Sequence, residues 1–212
     1  MNNPFFSVVI PTYNREDLVL GTLKTVLNQS YVNFEVIVVD NGSTDNTLQV
    51  LEPFEKKGRI KVIKNKTNLE RSKARNMGFK AAKGDFLTLL DSDDFMYQDN
   101  LKDAAEFLIK NPSSHFFANR AELVDGEGKS LYKYDFPEEG DQIKLFAKGN
   151  FLSCIGVFIS KKIYQKHYFN EDPTILGSED WEYWIRLRSI YNLGKINKIN
   201  SAILNHPNRS VN

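Results

Sequence analysis

The sequence predicts an α/β protein with a mostly parallel central sheet flanked by helices. Two observations carry this. Strand-like and helix-like segments alternate through the first ninety residues, and the strand segments are apolar throughout rather than alternating with polar residues. Strands apolar on both faces need cover on both faces, which is the environment of a parallel sheet between helical layers.

The elements follow in order. Phe5–Ile10 is a β-rich run stopped by Pro11. Residues 15–28 read as a helix: Glu16 and Asp17 suit a first turn, and Leu20, Leu23 and Leu27 share a face. Phe34–Val39 is a second buried strand. The turn Asn41-Gly42-Ser43 follows, and Thr44 or Asp45 caps a helix carrying Leu48 and Leu51. Residues 60–63 form a third strand and 70–82 a third helix, whose small residues Ala74, Gly78 and Ala81 permit close packing on a sheet. Residues 86–90 form a fourth strand. Beyond it, 100–110 is helical, 116–124 extended, Asp125-Gly126-Glu127-Gly128 a hairpin turn, 151–160 a strand and 179–191 a helix stopped by Asn192-Leu193-Gly194. No linker rich in Pro, Gly or Ser divides the chain. One domain over 1–212 is expected, and it leaves little length for anything else.

Composition removes several function classes. Of 212 residues, 41% are hydrophobic and 12% aromatic, enough for a full core and against disorder. A net charge of +1 is too small for a generic polyanion binder, so no nucleic-acid partner is expected. A single cysteine, Cys154, excludes a disulfide scaffold and a cysteine zinc cluster. The apolar runs are too short to span a bilayer, and no basic leader precedes the first of them. The near-neutral total hides a local asymmetry: residues 56–83 hold 11 Lys or Arg and one acid, whereas 85–106 hold seven acids and one base.

In open α/β sheets ligands bind at the carboxyl ends of the strands. That rule selects Pro11-Thr12-Tyr13-Asn14, Asp40-Asn41-Gly42-Ser43 and Asp91-Ser92-Asp93-Asp94. Arg71 and Arg75 stand four apart near a helix N-terminus, a suitable place for a phosphate. Three carboxylates in Asp91–Asp94 repel one another unless a cation intervenes, and their hard oxygens suit Mg²⁺ or Mn²⁺; the competing reading is a plain helix cap. Asp180 lies in the opening turn of the last long helix, where the dipole keeps a carboxylate ionised and able to accept a proton; the competing reading, preferred on this segment alone, is a helix N-terminal charge with no catalytic task. No G-x-G-x-x-G or G-x-S-x-G occurs, and Gly128-Lys129-Ser130 fails as a phosphate loop because Leu123 occupies the first-glycine position.

Taken together, these segments resemble the inverting family 2 glycosyltransferases of GT-A fold. The resemblance runs from Ser7 to Ser210. It is carried by Ser7–Asn14, Glu35–Asp45, Lys73–Gly78, Leu90–Asp94, Glu179–Trp181 and His206–Ser210 in that order. It implies that Pro11, Thr12 and Tyr13 line a base pocket, that Tyr13 stacks on the base, and that Asp40 accepts from its imide N–H, as uracil or thymine offers. It further implies that Asp45 and Arg75 frame the nucleotide and that Asp91, with Ser92 beside it, holds the ribose or sugar. Asp93 and His206 would bind a divalent cation, Mn²⁺ or Mg²⁺. Asp180 would be the catalytic base, with Glu179 and Trp181 on the acceptor side. Gly177-Ser178 departs from the commoner pair of glycines at that loop. The implied activity is transfer from a nucleotide-diphosphate sugar, a UDP-sugar first, to a saccharide or lipid-linked saccharide in bacterial cell-surface polysaccharide synthesis. The implied setting is the cytoplasm, at the inner face of the membrane, with peripheral contact only. Two rivals stand beside it: a sugar-1-phosphate nucleotidyltransferase, disfavoured because Thr12-Tyr13-Asn14-Arg15 replaces a Gly-rich basic loop, and a non-catalytic nucleotide-sugar binding module.

Overall fold

The structure is a computed structural model in which residues 3–137, 142–146, 149–207 and 209 are described. The chain runs β1 (Phe6–Thr12), α1 (Val19–Leu27), β2 (Phe34–Asp40), α2 (Thr47–Lys56), β3 (Lys61–Lys64), α3 (Glu70–Ala81), β4 (Phe86–Leu89), β5 (Phe95–Met96) and α4 (Asn100–Lys110). It continues through β6 (Phe116–Val124), β7 (Ser130–Lys133), α5 (Gln142–Phe146), β8 (Val157–Ser160), α6 (Lys161–Tyr164), α7 (Glu179–Arg188) and β9 (Leu193–Leu204), with a short 3₁₀ turn at Pro173–Ile175.

One sheet contains every strand, in the order β3-β2-β1-β4-β8-β6-β9-β5, with β7 paired to β6 at one end. β1, β2, β3 and β4 are parallel, as expected. β8 runs antiparallel between β4 and β6, and β6 pairs in parallel with β9. The pleat sends alternate residues of each strand to opposite faces. Val8, Ile10, Val36 and Val38 therefore join one core with Leu23 of α1 and Leu101 of α4. Val9, Ile37 and Val39 join the other with Phe79 of α3 and Trp184 of α7. On that second face Gly78 lets α3 lie against the sheet, because a β-carbon there would stand 2.2 Å from Val9 Cγ1.

Three elements differ from expectation. α1 begins at Val19 rather than Arg15, because the Arg15 carbonyl already accepts the amides of Leu18 and Val19 and residues 15–18 form the entry turn. The strand expected over 151–160 is confined to Val157–Ser160. Gly156, at φ +77, turns the chain where a β-carbon would collide with Asn119 Oδ1. Past α7, Asn192-Leu193-Gly194 does end the helix, but Leu193 also starts the twelve-residue β9.

Candidate functional site

A cavity of about 410 Å³ opens at the carboxyl ends of β1, β2 and β4, where the topology rule placed it. Pro11, Thr12 and Tyr13, leaving β1, form one wall, and the Tyr13 ring is 39% exposed and available for stacking. Asn41, Asn68, Glu70, Arg71, Ala74 and Arg75 form another, and Asp91–Asp94 close the floor with Arg15 and Arg209.

Asp40 ends β2 completely buried and does not line the cavity. Its Oδ2 accepts the Ser43 amide at 3.1 Å, while Oδ1 has no hydrogen-bond partner among the described residues. Asn41, the next residue, is the one that reaches the cavity. Its Oδ1 accepts the Leu69 amide (3.1 Å) and Asn65 Nδ2 (3.0 Å), and its Nδ2 donates to Asn68 Oδ1 (2.7 Å). Asp45 also stands outside the cavity. Its Oδ1 accepts the Thr47 amide at the start of α2 and its Oδ2 accepts the Glu16 amide, fastening the β1–α1 turn to α2. Burial raises its pKa, but the Thr47 and Glu16 hydrogen bonds outweigh that and leave it lowered.

The acidic segment after β4 divides by partner. Asp91 Oδ1 accepts Arg75 Nη2 at 3.2 Å. Ser92 is buried. Asp93 Oδ2 lies 3.2 Å from Arg15 Nε and 3.2 Å from His206 Nε2. Asp94 is buried, with its pKa pushed well up by burial and by Asp91 and Asp93. It accepts the Leu204 amide at 3.0 Å, which pins the end of β9 and brings His206, two residues on, to Asp93.

The second half enters through α7. Glu179, 2% exposed, accepts Arg75 Nη1 on Oε1 at 2.9 Å and the Gly177 amide on Oε2 at 2.8 Å. Arg71 Nε stands 3.6 Å from the same Oε1. The Arg75 guanidinium, 3% exposed, thus joins Glu179 to Asp91, and its Nε has no hydrogen-bond partner among the described residues. Asp180 follows in the first turn of α7. Its Oδ1 accepts the Trp181 amide (2.7 Å) and its Oδ2 accepts Asn150 Nδ2 (3.2 Å). Burial pushes its pKa above the usual carboxylate range against the pull of Arg75, with Glu179 and Asp91 pushing the same way as burial. Trp181 Nε1 donates to the Phe146 carbonyl, so this ring is anchored as a wall.

The structure therefore gathers Pro11, Thr12, Tyr13, Arg75, Asp91, Ser92 and Asp93 around one cavity. It brings His206 and Glu179 into contact with that set and places Asp180 and Trp181 beside Glu179. Asp40 and Asp45 stand behind the cavity wall. Sequence reasoning placed Asn41 and Asp94 within the strand-end segments but gave neither a role of its own, and it assigned no site role to Arg15 or Asn150. For Arg15 a signal existed: a lone cation in the β1 loop, with an unneutralised acidic cluster at the neighbouring strand end.

The donor set fits a divalent cation of one kind. Among the described residues no group of three or more His, Cys, Asp or Glu side chains forms a metal cage. Asp93, on the cavity wall, and His206 beside it offer one hard oxygen and one imidazole nitrogen. Such a partial set suits Mg²⁺ or Mn²⁺, which commonly take one or two protein ligands and complete their shell with substrate phosphates and water.

A cavity at the ends of parallel strands, floored by acids and approached by the head of α7, is where open α/β folds take their ligands. The glycosyl transferase family 2 model matches residues 7–194, and the chain belongs to that family. It is 33% identical over 163 residues to an uncharacterised glycosyltransferase of Haemophilus influenzae, covering 76% of this chain and 64% of that protein. It is 29% identical over 198 residues to Escherichia coli WfgD, named UDP-Glc:alpha-D-GlcNAc-diphosphoundecaprenol beta-1,3-glucosyltransferase, covering 93% and 75%. Residues 1–349 of Staphylococcus aureus TarS, solved in complex with UDP-GlcNAc, align with a TM-score of 0.77 at 27% identity, covering 97% of this chain and 60% of that one. The chain spans from about a quarter to about two thirds of the length of the first relatives it matches.

Proposed function

We propose that this chain transfers a sugar, with inversion, from a UDP-sugar to the hydroxyl of a saccharide or lipid-linked saccharide in bacterial cell-surface polysaccharide synthesis. The observation that carries the reading is the Asp91–Arg75–Glu179 chain, its Arg75 and Glu179 buried, which fastens the first turn of α7, and with it Asp180, beside the donor cavity. The names of the relatives support the donor, the acceptor and the stereochemistry: WfgD is named for UDP-Glc and a diphosphoundecaprenol acceptor, and its linkage is beta. One inverting displacement on an α-linked UDP-sugar gives a beta product.

In this reading residues 1–95 hold the nucleotide and 96–212 the acceptor. Tyr13 stacks on the base, and Asp91 and Ser92 hold the ribose or sugar. Asp40, with Oδ1 unsatisfied, supplies the acceptor for the base imide once the wall at Asn41 yields. Asp180 takes the proton from the acceptor hydroxyl as its oxygen bonds to the anomeric carbon; the bond to the diphosphate breaks, and the electron pair leaves on the phosphate oxygen. The raised pKa makes Asp180 a stronger base than an exposed aspartate, and Asn150 holds the oxygen that receives the proton. Asp93 and His206 would hold Mn²⁺ or Mg²⁺, which would supply Lewis-acid neutralisation of the diphosphate's charge. Arg71, partly exposed on the cavity wall, adds positive charge on the protein's side. No described helix is long and apolar enough to cross a membrane. A lipid-linked acceptor is met peripherally, at the cytoplasmic face.

The test is Asp180→Asn assayed with UDP-sugars and with UDP alone. Transfer falls by at least a thousandfold while UDP affinity, read by calorimetry, stays within twofold. Transfer at the wild-type rate removes Asp180 as the base.

A further inference from the structure

Arg15 lines the cavity and has no task in the reading above. Arg15 sits in the turn after β1, and its backbone is well fixed. Its amide donates to Thr47 Oγ1 at 2.8 Å, and its carbonyl accepts the amides of Leu18 and Val19. From that fixed base the side chain spans the cavity wall to place Nε 3.2 Å from Asp93 Oδ2, with Nη1 on the Asn14 carbonyl. The oxygen it meets is the one that faces His206 Nε2. Both side chains of the pair are largely shielded, at 19% and 16% exposed, so the attraction is less screened than on an open surface.

We propose that Arg15 is a positioning residue that neutralises Asp93 while the donor site is empty and turns to the diphosphate when the nucleotide enters, so that nucleotide binding hands Asp93 over to the divalent cation. The proposal rests on the donor and metal reading of the same site and adds an order of assembly to it. A guanidinium 3.2 Å from Asp93 Oδ2 neutralises the carboxylate and repels a second cation there, so Arg15 weakens cation binding to the empty enzyme. A diphosphate is the stronger partner for the guanidinium, because it carries more charge than one carboxylate and its oxygens accept two parallel N–H bonds. Nothing covalent changes. The side chain exchanges one anion for another, and the free-energy coupling between nucleotide and cation is correspondingly larger than direct phosphate–metal contact alone provides.

The experiment measures binding, not turnover. Mn²⁺ alone is titrated by the electron-paramagnetic-resonance signal of the free ion, and UDP is titrated by calorimetry in EDTA, for wild type, Arg15→Gln and Arg15→Lys. In Arg15→Gln, Mn²⁺ binds the nucleotide-free protein about tenfold more tightly, UDP in EDTA binds about tenfold more weakly, and the enhancement of Mn²⁺ affinity by UDP shrinks. Arg15→Lys keeps the charge but loses the planar fork, and it falls between the two on all three readouts. It decides the matter if Arg15→Gln does not fold. Unchanged Mn²⁺ affinity without nucleotide, in whichever of the two variants folds, overturns the proposal while leaving the transferase reading intact. Failure of wild type to bind UDP with or without Mn²⁺ overturns the transferase reading, and this proposal with it.

Discussion

Replacing Glu179 by Gln probes both the stability and the chemistry of the site, in opposite senses. Glu179 is 2% exposed and serves two donors, Arg75 Nη1 on one oxygen and the Gly177 amide on the other. Glutamine has the same shape but only one acceptor oxygen. Whichever donor its carbonyl serves, its NH₂ faces the other, and a buried donor is left without a partner. Among the described residues, Asp91 is then the one carboxylate still in contact with Arg75, and it is 36% exposed. Breaking one side of a buried ion pair costs about 3–5 kcal/mol. For a domain of this size that is roughly 6–20 °C in Tm, at about 2–4 °C per kcal/mol.

The same change acts on Asp180. Glu179 is one of the groups that raise its pKa, after burial. Removing that negative charge lowers the pKa, so a general base stays deprotonated to lower pH, and the acid limb of the rate profile moves down. The assays are calorimetric melting and initial rates of transfer across the acid range. A Tm within 2 °C of wild type, or an acid limb that moves upward, refutes the network as described.

Three further outcomes follow from single contacts. Asn150→Ala removes a donor from the ionised form of Asp180, so the acid limb moves up, opposite to Glu179→Gln, while the rate at high pH changes little. Glu70 holds φ +70 at the cavity wall, a conformation that favours glycine; Glu70→Gly should stabilise by about 0.5–1 kcal/mol after the entropy of the added glycine is counted, read as a rise in Tm. Gly78→Ala should cost about 1–3 kcal/mol, because the new methyl meets Val9 Cγ1. In urea melts, Gly78→Ala combined with Val9→Ala loses less than the sum of the two single changes.

The elements legible in the sequence are those whose environment repeats along the strand. Val8–Ile10 and Val36–Val39 are buried on both faces, so their composition alone announces them. β9 has no such uniformity. Lys195, Asn197, Lys198 and Asn200 interrupt its apolar residues, and the strand exists because β6 pairs with it through a register that shifts around Arg120. The site divides the same way. Asp91, Asp93 and Asp180 stand at strand ends and a helix start, where position along the chain betrays them. What each one touches is not local: Arg15 reaches Asp93 across 78 residues, Arg75 reaches Glu179 across 104, and His206 reaches Asp93 across 113. Periodicity carries no information about such pairs, and so Glu179 reads as an acceptor-side residue until its buried partner is seen.

Those long-range pairs also explain why charge is buried here at all. A buried ion pair seldom stabilises more than a well-packed apolar group of equal volume would, and its best-attested use is to fix one geometry. The two halves of the sheet meet at β4 and β8, whose Phe86–Thr88 pairing with Phe158–Ser160 sets the distance between their strands but not the angle at which α7 arrives over the cavity. Arg75 supplies that constraint. It leaves α3 in the first half, takes Asp91 after β4 with one nitrogen and Glu179 at the head of α7 with another, and a guanidinium's planar fork accepts two carboxylates only within a narrow range of directions. Asp94 does the same for β9 by holding the Leu204 amide. The residues that fix the orientation of the two halves are thus neighbours in sequence of the residues to which the proposed function assigns the chemistry, Asp93 beside Asp94 and Asp180 beside Glu179. In that reading a small error in the packing of the two halves would displace Asp180 from the donor, and the buried ion pairs and hydrogen bonds stand where that error would matter most.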